Sequence, residues 1–279
     1  MEQLEEDEEV YVLNRQIFKR VLSTILPTCA ITLGVLLAFI VGTGSLNTMA
    51  HGSASRTLQG QRSFFVSSRV RPTLILRGHA GLIHVGTGAS GKIIIKYVIR
   101  HTGAGRPATA AFSSNSKFNS VTAREIDYPR SGRGNDEIDW YITVPKNANL
   151  DCATGAGPIV ASNVIGRISL ITNSGDVTAT KVLMKEDSNL LTQAGNVTLS
   201  GNVMVGHTCK IHTNAGSINV AFPSSARLYV SASLIAGFVS SDFPGISTNR
   251  TGAVGYIGHG PYAKVLISTQ AGTIGIHRL

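Results

Sequence analysis

The stretch Ile168-Ser-Leu-Ile-Thr172-Asn-Ser-Gly175-Asp-Val177-Thr-Ala179 decides how this chain folds. Counted from Gly175, apolar residues stand at minus 7 and minus 5, and again at plus 2 and plus 4. The period of two in each arm is the signature of a β-strand, because successive side chains leave opposite faces of the pleat. The step across the glycine, from minus 3 to plus 2, is odd, so the chain must turn or bulge there. Glycine supplies the positive φ that such a corner usually demands. Thr172 at minus 3 can bond its hydroxyl to a corner amide, or can stand there simply as a β-branched strand residue.

The phrase recurs. Thr154-Gly-Ala-Gly157, Thr192-Gln-Ala-Gly195, Thr213-Asn-Ala-Gly216 and Thr269-Gln-Ala-Gly272 repeat Thr172-Asn-Ser-Gly175. The inward positions follow: Leu150, Cys152, Ile159 and Ala161 around Gly157; Cys209, Ile211, Ile218 and Val220 around Gly216; Val265, Ile267, Ile274 and Ile276 around Gly272. The Gly195 copy starts on Ser188 and continues with Leu190, Val197 and Leu199. Copies without the threonine fit around Gly237 (Val230, Ala232, Val239, Ser241) and Gly81 (Leu74, Leu76, Ile83, Val85). A repeated corner and strand cannot bury its apolar face alone and must stack on its neighbours. The expected fold is therefore all-β, a parallel β-helix (β-solenoid) of about seven rungs. Corner glycines fall 18, 20, 21 and 21 residues apart from Gly157 to Gly237, then 35 apart to Gly272, which places an insertion in the Gly-, Ser- and Asn-rich run 240–260.

Upstream, 64–70, 73–77, 82–85, 91–99 and 137–144 alternate as strands, while 100–120 is small and polar and reads as a long loop or irregular edge. This part should cap one end of the stack, whose unpaired backbone groups would otherwise invite aggregation.

The N-terminus reads differently. Residues 1–20 carry six acids against Arg15, Lys19 and Arg20, an acidic cytoplasmic tail; 21–42 hold no charge and are long enough for a single transmembrane helix. Residues 43–62, rich in Gly, Ser and Ala, form a flexible linker to the domain at 63–279. Basic residues precede the apolar run and none follows before Arg56, so the positive-inside rule puts the N-terminus in the cytoplasm and the β-domain outside the cell membrane. Cleavage as a signal peptide is the alternative. The partner through 21–42 is then the lipid bilayer.

The net charge is +9, and the stretch from Arg56 to Lys146 holds fourteen basic residues against five acids. Such a surface suits an anionic cell-wall polymer or an envelope protein, but the charges form no run, which favours a scattered solubilising surface; nucleic acid is disfavoured for want of a binding-fold signature. Chemistry is hard to find. His207-Thr-Cys209-Lys-Ile-His212 has histidines of opposite parity and no second ligand pair, so no metal site is expected. Cys152 and Cys209 occupy inward positions three rungs apart, too far for a disulfide, and read as small buried hydrophobes. After Lys146 the acids are Asp151, Asp176, Glu186, Asp187 and Asp242, in registers that do not stack. No catalytic residue, cofactor or enzymatic activity is expected.

The run Trp140-Tyr-Ile-Thr-Val-Pro145-Lys-Asn-Ala-Asn-Leu150, the Thr-x-x-Gly rungs, and Gly258-His-Gly260 leading to Ile267-Ser-Thr269-Gln-Ala-Gly-Thr-Ile274-Gly-Ile276 together resemble the bacterial putative-adhesin domain family of unknown function. The similarity spans roughly 73–276. It implies a β-helix-like domain displayed on a bacterial membrane, and it brings no catalytic residues. The expected function is a membrane-anchored, extracytoplasmic, non-catalytic binding or adhesion module of a cell envelope. The alternatives are a structural protein that self-associates end to end, and an envelope sensor signalling through its N-terminal helix.

Overall fold

The computed structural model describes residues 55–103, 106–126 and 135–279. They belong to the compact unit His51–Leu279. Twenty strands begin with β1 (Ser55–Phe65), β2 (Thr73–Ala80), β3 (Ile83–Gly88), β4 (Lys92–Thr102), β5 (Thr109–Asn115), β6 (Ser120–Ile126) and β7 (Asn135–Pro145). The repeats contribute β8 (Asn149–Ala156), β9 (Ile159–Ser162), β10 (Ile165–Gly166), β11 (Ile168–Ser174), β12 (Val177–Met184), β13 (Ser188–Ala194), β14 (Val197–Val203), β15 (Thr208–Ala215) and β16 (Ile218–Phe222). The chain ends with β17 (Leu228–Ser241), β18 (Ile246–Asn249), β19 (Gly252–Ile257) and β20 (Ala263–Arg278).

All twenty join one sheet. It curls at the corner glycines into a nearly closed, barrel-like body around a single core. The two-residue β10 pairs with the second half of β12, and two main runs of strands meet at those corners. One reads β5, β6, β2, β8, β11, β13, β15, β20, β17, β19, β18; the other reads β1, β4, β7, β3, β9, β12, β14, β16, then the second halves of β20 and β17. The repeats pair in parallel, while β1 with β4, β4 with β7, β5 with β6, β17 with β19 and β18 with β19 are antiparallel.

This corrects the expected architecture. A uniformly parallel seven-rung β-helix behind a transmembrane helix is not what the described residues form: they form a mixed, barrel-like sheet whose ends are closed by antiparallel pairs. No helix among them is long and apolar enough to cross a membrane. The predicted transmembrane helix at 21–42, the acidic tail at 1–20 and the linker as far as residue 54 lie outside the described residues, whereas 55–62 belong to β1 rather than to a linker.

The order of the repeats also departs from chain order. Strand β20, carrying Gly272, lies between β15 and β17 and pairs with both in parallel. The extra residues before Gly272 are not a loop. They form the β18–β19 hairpin, which covers the far side of β17 before the chain returns to fill the vacant slot. Residues 100–120, expected as a loop, supply the end of β4, all of β5 and the start of β6.

The core is the predicted face. Ile168, Leu170, Val177 and Ala179 are fully buried, as are Leu150, Cys152, Ile159, Ala161, Ile218, Val220, Val265, Ile274 and Ile276. Val239 and Ser241 are only half-buried, because the second half of β17 lies at a margin. At the other end Trp140, Ile138, Ile93 and Ile95 extend the same core. Three buried acids pin this less regular part to the stack. Asp139 accepts from Leu82 N at 3.0 Å and from Arg100 at 2.5 Å; Asp136 meets His101 at 2.5 Å and accepts from Ala108 N at 2.7 Å. Glu125 accepts from His79 N at 2.7 Å.

Candidate functional site

Side chains of the repeats that do not enter the core leave the sheet on its outer face, and parallel pairing sets equivalent positions side by side, roughly 4.8 Å apart. The residues eight before each corner glycine form one row across the sheet: Asn149, Arg167, Asp187, Thr208, Lys264 and Tyr229, with Tyr256 of β19 beside Tyr229. The residues six before it form the next row, Asp151, Ser169, Asn189, Lys210, Leu266 and Ser231.

Between β8 and β15 these rows wall an open groove of about 490 Å3, lined by Asp151, Arg167, Ser169, Glu186, Asp187, Asn189 and His207. Its side chains are held in place. Asn149 Oδ1 accepts from Arg167 N at 2.9 Å, and Asp187 Oδ1 accepts from Thr208 N at 2.9 Å. Arg71 pairs with Glu186, and Arg77 with Asp151 at 2.9 Å. Acids and bases are close to balanced there. A second hollow of about 270 Å3 follows on the same face, with Lys210, His212, Ser231, Ser233 and Ser268 among its walls. His212 is oriented at both nitrogens, by Ser268 Oγ and by Asn214 Oδ1, each at 2.8 Å.

Beyond it the face ends on three tyrosines. The rings of Tyr229 and Tyr256 lie 5.3 Å apart and those of Tyr256 and Tyr262 lie 4.7 Å apart, and Tyr256 is half exposed. The rings are tilted to one another, by 50° and 42°, so the cluster offers the half-exposed ring of Tyr256 rather than one flat surface. At the end of a row of hydrogen-bonding groups such a ring can take the apolar face of a polar ligand while the row takes its hydroxyls.

The five acids after Lys146 were expected in unrelated registers. The structure brings Asp151, Glu186 and Asp187 to one groove and leaves Asp176 at a corner, where its Oδ1 accepts from Asn196 N at 2.7 Å. Asp242 sits near the C-terminus against His277 at 3.2 Å. Of the motif at 207–212, His207 lines the groove and His212 the second hollow, while Cys209 points into the core. Burial pushes the thiols of Cys152 and Cys209 up to about 12, and both are free. Among the described residues no group of three or more His, Cys, Asp or Glu is placed to hold a metal ion. Neither the tyrosine cluster nor the minus 8 row is among the expectations from the sequence: Tyr256 lies outside the repeats, whereas the row is carried by the spacing of the corner glycines.

No protein-family model matches the chain, and no curated protein sequence matches it either. Among solved structures, it is similar to a putative cell adhesion protein from Clostridium sporogenes, with a TM-score of 0.50 and 15% identity, over 80% of this chain and 100% of that one. A putative adhesin from Bacteroides fragilis gives a TM-score of 0.32 at 16% identity, over 78% of this chain and 97% of that one. Another, from Parabacteroides merdae, gives 0.30 at 8%, over 79% and 96%. At these identities the first similarity speaks to fold alone. The chain has the fold of a solved bacterial putative cell adhesion protein, of the kind its Thr-x-x-Gly repeats resemble.

Proposed function

We propose that this protein is a non-catalytic binding module of adhesion type on a bacterial cell envelope, and that its outer face holds a hydroxyl-rich polymer of the wall. The observation that carries this reading is the row Asn149, Arg167, Asp187, Thr208, Lys264, Tyr229, Tyr256, which lines up hydrogen-bonding groups with a cluster of tilted tyrosine rings. From β11 to β19 the row crosses five strand spacings, roughly 24 Å. An extended polymer of several sugar residues fits that length better than a compact metabolite. The balanced charge of the groove favours a neutral or zwitterionic polysaccharide there, held by hydrogen bonds rather than by net attraction.

The basic weight of the chain before Lys146 supports a second contact, with an anionic wall polymer. The two readings separate by salt. Retention of the full chain on purified wall polysaccharide that survives high salt and weakens in Arg167→Ala and Asn189→Ala supports the outer face. Retention that collapses with salt and ignores both substitutions assigns binding to the basic surface instead.

Display outside the cell rests on the sequence, on the uncharged run 21–42 and the basic residues before it. Protease added to intact cells should digest the β-domain; full protection would place it inside.

A further inference from the structure

The two runs of strands end on β5 and β18 in one case, and on β1 and the second half of β17 in the other. Exposed sheet margins are templates for pairing, and proteins blunt them with shortness and with charge. Strand β18 has only four residues; β1 carries the exposed Arg56 and Arg62; β5 holds no charge, but it exposes no large apolar side chain. The margin of β17 has neither protection. Leu234-Ile-Ala-Gly-Phe-Val-Ser-Ser241 holds no charge, and Ile235 and Phe238 are 79% and 61% exposed.

Among the described residues, no strand pairs with its backbone on the outer side. On β17, strand β19 reaches only Leu228–Ser233, and the last link is Leu234 N to Thr251 O at 3.0 Å. Asp242 N donates to Ile276 O at 2.9 Å on the β20 side. In a parallel ladder alternate residues turn to the same neighbour. Val239 and Ser241 therefore aim their N–H and C=O groups away from β20, and no strand among the described residues pairs with them.

We infer that this margin is an interface between two copies of the chain, joined antiparallel across a two-fold axis near Phe238. The unpaired groups call for a strand, and the same segment of a second copy offers N–H to C=O and C=O to N–H. Each chain carries a net charge of +9, and this is a margin where two of them meet without opposing charges. Ile235 and Phe238 of each copy are then covered by the other. Pairing head to tail onto β1 would instead set the apolar strand against Arg56 and Arg62, and would repeat without closing.

Light scattering of the full chain in detergent micelles, over a range of concentrations, tests this. The expected protein mass is that of two chains. Ile235→Lys and Phe238→Lys, both at exposed positions, should each weaken the dimer at least tenfold with an unchanged circular dichroism spectrum. Phe65→Lys on β1 should leave it intact. A wild-type chain that stays monomeric overturns the inference, as does a dimer that persists in both β17 variants or a ladder of larger species abolished by Phe65→Lys.

Discussion

Gly216 turns its corner at φ +151°, and a Cβ built there would overlap the carbonyl oxygen of Gly195. The same relation links Gly157, Gly175, Gly195, Gly272 and Gly237 to the corner glycine of a neighbouring repeat, while Gly81 at the end of the series meets Ile138 O, so the corners form a ladder that excludes any side chain. Gly216→Ala should cost about 3 kcal/mol or more, as a strained φ and an overlap with backbone combined, measured by urea unfolding. Thr213 shows what the threonine does. It is fully buried and donates its hydroxyl to Gly195 O at 2.9 Å. Thr192 and Thr172 bond Gly175 and Gly157 likewise, at 2.9 and 3.1 Å. The hydroxyl thus meets a carbonyl of the adjacent repeat, not a corner amide of its own. Thr213→Val keeps the shape and orphans that carbonyl, for a loss of about 1–2 kcal/mol. The buried thiols make a pH prediction. The unfolded chain ionises Cys152 and Cys209 from about pH 9, whereas the folded protein keeps both protonated to about 12. Above pH 9 the unfolded state therefore binds fewer protons, and stability falls as pH rises from 9 towards 12. Below 9 the two thiols contribute no slope. Unfolding midpoints between pH 8 and 10.5 should fall less steeply in Cys209→Ala than in the unsubstituted chain.

At the scale of elements, the pattern around each glycine was legible because parity alone separates core from surface in a strand. Neighbour order was not, since Ile274 and Val239 occupy equivalent inward positions and nothing in the alternation says which copy lies inside the stack. In the structure Ile274 is fully buried between β16 and β17, while Val239 stands at the margin. Ile274→Ala should cost about 2–5 kcal/mol and Val239→Ala less than about 1 kcal/mol. Chain-order stacking predicts the reverse ranking, and thermal unfolding of the two variants decides between them. Strands β5 and β6 escaped notice for a related reason. Val121 and Ala123 alternate as core residues, but Glu125 follows at the next inward place, buried against His79 N, and a charged residue there hides the strand. Of the outer face, the sequence assigns no site, although the minus 8 row was legible in the glycine spacing. The convergence of Glu186 with Asp151 was not, because it depends on a turn before β13 and on how the side chains of Arg71 and Arg77 reach across.

For the whole molecule, the corner ladder and the shared core make one continuous sheet, and the binding proposed for its outer face draws on side chains already held there. Groups already held by Asn149, Asp187 and the two arginine pairs need little ordering when a ligand arrives, so less of the binding energy is lost. The central claim is that this face, ending on its tyrosines, is where the protein holds a wall polysaccharide. The direct measurement is titration calorimetry of the full chain with purified, fragmented wall polysaccharide, comparing wild type, Tyr256→Ala and, as a control at an exposed aromatic elsewhere, Phe118→Ala. The account predicts salt-insensitive binding that weakens roughly three- to tenfold in Tyr256→Ala and is unchanged in Phe118→Ala. Equal affinities for wild type and Tyr256→Ala, or no heat of binding from the wild-type chain, would contradict it.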